Sequence, residues 1–169
     1  MRNIIWMLLF VTVSLSFAET ASDKSIKPLD TSREELVKES FRALVSAYLD
    51  KDIDSFMSYV SESKFQQDYM TFDDAIREDF RVYNLFNLDY WFEQIIPDGE
   101  QLIYMKVRWE KEYESIKRNR LLQKSGSSWF LFVKSRDGYK LIGMAGAMMW
   151  GDSRKEWVQE RPISSRKIR

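Results

Sequence analysis

The stretch Ile103-Tyr104-Met105-Lys106-Val107-Arg108-Trp109-Glu110 alternates. Ile103, Met105, Val107 and Trp109 share one face, and Lys106, Arg108 and Glu110 share the other. A period of two marks a half-buried β-strand, because successive side chains leave a pleated backbone on opposite sides. Tyr113 continues the apolar face, so the strand is long. Upstream, from Asn87, the residues Leu88, Tyr90, Phe92 and Ile96 alternate with Asp89, Trp91, Glu93 and Ile95. Pro97-Asp98-Gly99-Glu100 joins the two runs as a turn: proline presets φ and glycine accepts the positive φ beyond it. Downstream, Ile116 to Ser128 is basic and rich in small residues, with Gly126 read as a bend or bulge. Trp129 to Val133 is apolar on both faces, as an interior strand would be. Arg136-Asp137-Gly138 then makes a tight hairpin into Tyr139 to Ala147.

The period changes upstream of Asn87. Thr31-Ser32-Arg33-Glu34 has the capping-box arrangement, with Thr31 as N-cap and Glu34 reaching back. Val37, Phe41, Leu44, Val45 and Tyr48 follow at helical spacing, opposite Lys38, Arg42 and Ser46. Lys51-Asp52 breaks this helix, and Asp52 caps a shorter one through Phe56 to Val60. Ser61 to Tyr69 is a connector with room for a short strand. Thr71 reads as the next N-cap, with Asp73 and Asp74 in the first turn, where the helix dipole favours anions. Ala75, Ile76, Phe80 and Tyr83 carry the apolar face of this third helix. Three helices followed by a meandering antiparallel sheet predict an α+β fold: a cone-shaped curved antiparallel sheet wrapped around N-terminal helices, in a single domain.

The chain has 169 residues, with Lys+Arg 26 against Asp+Glu 26. Such a balance argues against a nucleic-acid partner, since no excess of positive charge exists to displace phosphate counterions. There is no His and no Cys. The usual general base near neutral pH is therefore missing, as are the thiol nucleophile, the disulfide and the common zinc ligands. Catalysis would fall to Asp, Glu, Tyr, Lys or Arg. A metal would need an all-oxygen site, and no loop has acids at alternating spacing around a glycine, so neither metal nor cofactor is expected.

Met1 to Ala18 has a basic start at Arg2, an apolar run from Ile4 to Phe17 and small residues at Ser16 and Ala18. This is the pattern of an export signal cut after Ala18, and the run is short of the about 20 residues that span a bilayer. The expectation is a periplasmic or secreted protein with no membrane anchor after cleavage. It divides into a leader at 1–18, a lead-in at 19–30, a domain at 31–151 and a basic tail at 152–169.

Phe72-Asp73-Asp74-Ala75-Ile76-Arg77-Glu78-Asp79-Phe80-Arg81, Val107-Arg108-Trp109, Ser125-Gly126, Trp129-Phe130-Leu131-Phe132, Asp137-Gly138-Tyr139-Lys140-Leu141 and Trp150-Gly151 together resemble the nuclear transport factor 2-like superfamily. That superfamily also holds ketosteroid isomerases and polyketide cyclases. The resemblance implies a pocket between the concave face of the sheet and the helices, where catalytic members place carboxylates and tyrosines. It also makes a homodimer with packed sheets compatible with the sequence. No motif here pins a catalytic residue.

Four residues are candidates to line the pocket. Tyr48 lies on the stripe of the first helix, either as a core tyrosine with its hydroxyl on a carbonyl or as a donor in a site. Trp109 and Tyr113 lie on the apolar side of the long strand, as core or as pocket wall. Asp89 shares a strand face with Trp91 and Glu93, which suits either a cation or solvent. Lys117, Arg118, Arg120 and Lys124, together with Arg166, Lys167 and Arg169 of the tail, read as surface charge or as a contact for an anionic lipid or polymer. Ala145 to Trp150 reads as an exposed apolar edge or as a strand end packed on the core. The expected function is a non-enzymatic binding module for a small apolar ligand or an envelope protein. The alternative is a small isomerase or hydrolase using Asp and Tyr.

Overall fold

A computed structural model of the chain describes residues 30–153. The leader, nearly all of the lead-in and the tail from 154 onward lie outside the described residues. Three helices come first: α1 (Thr31–Leu49), α2 (Ile53–Ser58) and α3 (Tyr69–Val82), with a 3₁₀ turn at Glu62–Lys64. Four strands follow, β1 (Tyr83–Asp98), β2 (Leu102–Ser115), β3 (Arg120–Ser135) and β4 (Gly138–Gly146), in one antiparallel sheet ordered β1-β2-β3-β4. The expected α+β cone is what forms.

Each α-helix starts on an aspartate. Asp30, Asp52 and Asp68 accept from the backbone N–H groups of Ser32, Ser55 and Thr71. Asp52 was expected; Asp30 and Asp68 replace Thr31 and Thr71, which become helical residues. A carboxylate both accepts the orphan N–H and complements the positive end of the helix, so it wins over a nearby hydroxyl. The stripe of α1 is as expected, with Val37, Phe41, Leu44, Val45 and Tyr48 all buried. Lys51 breaks the helix with φ of 56° and places its ammonium on Phe80 O, at the negative end of α3. In the connector, Val60 makes an isolated parallel bridge to Leu141 rather than a strand.

The sheet departs from the sequence reading in three places. First, α3 passes into β1 at Tyr83 with no loop, and Tyr83 pairs with Ser115. Second, a register shift between Phe92 and Gln94 turns Ile95, not Ile96, toward Met105 and the core. An extra residue in one strand reverses every later side chain. Third, Gly126 is no bend. It pairs directly with Trp109, and a Cβ there would stand 2.5 Å from Ala147 Cβ and 2.9 Å from the Trp109 ring. Glycine is needed for that close approach. The turn expected at Pro97–Glu100 lies slightly later, at 99–101, with Gly99 at φ of 65°, while Pro97 and Asp98 pair with Ile103 and Leu102 inside β1.

The helices lie against the concave face of the sheet. The main core joins Phe41, Leu44 and Tyr48 of α1 to Val107 and Trp109 of β2 and to Phe130 and Phe132 of β3.

Candidate functional site

Two places merit description: the interior of the cone and a groove outside it. On the concave face, Ile103, Met105, Val107, Trp109, Lys111 and Tyr113 all point inward from β2, and all are buried. Lys111 is in phase with an otherwise apolar row. Its cross-strand partner is Lys124 of β3. Two like charges directly opposite one another repel. Here a third residue resolves the conflict: Lys111 Nζ donates to Asp152 Oδ1 at 2.9 Å, and Lys124 Nζ donates to Asp152 Oδ2 at 2.8 Å. Lys111 also donates to Met149 O at 2.9 Å. Lys124 therefore belongs to this cluster, not to the surface run read from the sequence.

A second carboxylate completes the cluster. Asp79, on the buried side of α3, accepts from Tyr48 Oη at 2.7 Å, Gly151 N at 2.6 Å and Ser153 N at 2.9 Å. Burial pushes the Asp79 carboxyl above the usual carboxylate range, and the neighbouring Asp152 charge adds to this. Lys111 and the hydrogen bonds act in the opposite sense. Burial, then the Asp79 charge, pushes the Tyr48 phenol well above its ordinary value, so it remains a neutral donor.

The segment from Met149 to Ser153 is thus strapped down from both sides, and it carries Trp150 into the cone. The indole lies 5.1 Å from Phe130, 5.3 Å from Phe56, 5.7 Å from Phe41 and 6.3 Å from Tyr48, centroid to centroid. Its Nε1 is buried without a partner among the described residues. The apolar end at Ala145 to Trp150 accordingly divides: Met149 and Trp150 are core, while Ala145 and Ala147 are exposed. Asp152 and Ser153, assigned from sequence to the tail, are buried and complete the domain.

Three of the four residues singled out from sequence converge here. The Lys111 ammonium lies 5.1 Å from the Tyr113 ring and 5.9 Å from each of the Tyr48 and Trp109 rings. Trp109 Nε1 donates to Ser128 Oγ at 2.8 Å. Tyr48 finds the Asp79 carboxylate, not a carbonyl. Asp89 is separate: it is exposed on the opposite face of the sheet, across from Glu110, and accepts from Asn87 Nδ2 at 2.8 Å. Missed from sequence were Lys111, Asp79 and Asp152. The signal for the first two was present, since each falls in phase with an apolar row.

Outside the cone, the N-terminal half of α3, the preceding connector and the end of β4 border a groove of about 410 Å³. Its walls include Phe65, Phe72, Ala75, Met144, Met148 and Gly151. Phe65 and Phe72 stack at 4.8 Å. Asp68, the cap of α3, stands at its rim. No group of three or more His, Cys, Asp or Glu side chains is placed to hold a metal ion among the described residues.

Helices over one open, curved antiparallel sheet define the nuclear transport factor 2-like fold, and solved structures agree. A conserved protein from Planctomyces limnophilus matches with a TM-score of 0.61 at 12% identity, over 70% of this chain and 100% of that one. A ketosteroid isomerase-like protein from Erwinia carotovora matches at 0.58 and 11%, over 68% and 95%. A nuclear transport factor 2-like protein of unknown function from Shewanella oneidensis matches at 0.53 and 11%, over 68% and 98%. No family model and no curated protein matches the sequence. At such identities the likeness extends to the fold alone, and proteins of this fold carry unlike functions.

Proposed function

We propose that this protein is an exported, non-enzymatic binding module, and that its ligand sits in the outer groove. One observation carries the reading. Trp150 packs between α1, α2 and the sheet, so the cone interior is taken up by the chain's own side chain. The ionisable groups around it are spent on one another, Tyr48 on Asp79 and both lysines on Asp152. The outer groove is open and its walls are mostly apolar and aromatic, as small-molecule sites usually are. Its volume lies within the range of about 300–1,000 Å³ common to such sites.

Titration calorimetry of the chain from Glu19 onward with decanol tests this. Saturable one-site binding is expected, and it should disappear in Met148→Glu, which sets a charge against the apolar wall. Absence of binding, or binding indifferent to that substitution, refutes the reading. Native mass spectrometry of the protein from its own host would report co-purifying ligand and subunit count together.

A second reading rests on the Tyr48–Asp79 pair, a neutral donor beside a carboxyl whose pKa burial has raised. Such pairs recur in acid–base sites. It would make the protein a His-independent isomerase or hydrolase, and it requires Trp150 to leave the cone.

A further inference from the structure

We propose that the outer groove is selective for an apolar molecule with a cationic head, an alkyl or aromatic ammonium, with the Asp68 carboxylate as counter-ion. This rests on reading the groove as the binding seat and names what enters it.

The charge around the groove is one-sided. Among the described residues that line it, Asp68 is the sole ionisable side chain, and it is exposed at the rim. Its Oδ1 accepts from Thr71 N at 2.6 Å. That bond, with a lesser one from Met70 N–H, holds its carboxyl below the usual carboxylate range, so it is charged at neutral pH. Behind the rim, Glu62 and Asp73 act on Tyr69 as negative charges. Arg77, whose charge also reaches Tyr69 in the opposite sense, is turned onto Asp73 at 2.9 Å.

A helix N-terminus would ordinarily invite an anion, such as the carboxylate of a fatty acid. The start of α3 borders this groove, but Asp68 already occupies that position. One full negative charge outweighs the roughly half charge at the end of the helix. The rim is left net negative, which disfavours a second carboxylate and favours an ammonium. The walls suit the same ligand. Phe65 and Phe72 are among the lining residues, stacked on one another, and an aromatic ring attracts a cation within about 6 Å. Met144 and Met148 have unbranched thioether chains that adapt to apolar tails of varied shape.

The test compares decyltrimethylammonium, decanol and decanoate by calorimetry, each below its micellar concentration, on the chain from Glu19 onward. The ammonium should bind at least about fivefold more tightly than decanoate, the size of an exposed ion pair. Added salt should narrow the gap. In Asp68→Asn the preference should vanish while the helical circular dichroism signal is retained, because asparagine caps a helix as well as aspartate does. Decanol binding with no preference for the ammonium, or with a preference for decanoate, overturns this inference and leaves the binding reading intact. Failure of all three probes to bind overturns both.

Discussion

The interior of the cone and the groove outside it are built from the same materials, aromatic rings, methionines and aspartates, but put them to opposite use. Inside, every carboxylate oxygen of Asp79 and Asp152 meets a donor, and Trp150 occupies the space between helices and sheet. Outside, Phe65, Phe72, Met144 and Met148 face an open volume, and Asp68 stands at its edge. Buried charged groups contribute stability when their partners are complete, and a carboxylate whose donors are all in place has nothing left to offer a ligand. An open apolar wall contributes less to folding and more to recognition. Stability should therefore concentrate in the first region and binding in the second.

The sharpest way to break this contrast is to remove Lys111. Lys111→Met leaves Asp152 half-paired in the interior and should cost about 3–5 kcal/mol in urea or thermal unfolding. Adding Asp152→Asn should recover a large part of that, because the charge left behind is then gone. A cost near zero for Lys111→Met would mean the cluster does not hold the strap. Next comes Trp150→Ala, which should also destabilise by about 3–5 kcal/mol, through lost burial and the cavity left behind. Should this variant instead stay stable and turn over a substrate, the enzymatic reading would gain.

A smaller effect is set by pH. Burial raises the Asp79 carboxyl above its unfolded value, so folding favours the protonated group. Its contribution is fully present below the ordinary carboxylate pKa and is lost as pH rises through the raised value. The stability of the natural protein should therefore fall relative to Asp79→Asn as pH rises above about 4, the ordinary carboxylate value. Denaturation series on both proteins, differenced at each pH, would check the sign, and a gap that does not change with pH would contradict it. Smallest of all is Met148→Glu, a substitution at the partly buried groove wall. It should abolish ligand binding while shifting stability by about 0.5 kcal/mol or less, the usual range for sites away from the core.

Much of the architecture was legible because hydrophobic period is a local property. The period of two in Ile103 to Glu110 and the helical spacing from Val37 to Tyr48 each report one buried face without any knowledge of partners. Register was less legible. The shift at Phe92/Gln94 that turns Ile95 inward depends on how β1 meets β2, and the alternation Leu88–Ile96 hides it. The helix starts were misplaced at Thr31 and Thr71 because a hydroxyl and a neighbouring carboxylate compete to cap the first turn, and sequence spacing does not rank them.

The interior cluster was half visible. Tyr48, Trp109 and Tyr113 were recognisable as inward-facing, and Lys111 falls in the same alternation as the last two. Asp79 likewise falls on the helical stripe with Phe72, Ala75 and Ile76. A charge in phase with an apolar face signals that a buried partner must exist, since burying it alone is costly. The signal does not say which partner. Asp152 lies 41 residues beyond Lys111, in a segment whose composition resembles a solvated tail.

What the sequence alone determined is the class of fold, because each element carries its own periodic imprint of one buried side. Tertiary structure alone decided that the space under the sheet is occupied by the chain's own Trp150, and that an accessible apolar groove lies elsewhere. Both outcomes depend on contacts between segments tens of residues apart, set by cross-strand register, close packing and the pairing of buried charges, and the local pattern does not name which segments meet.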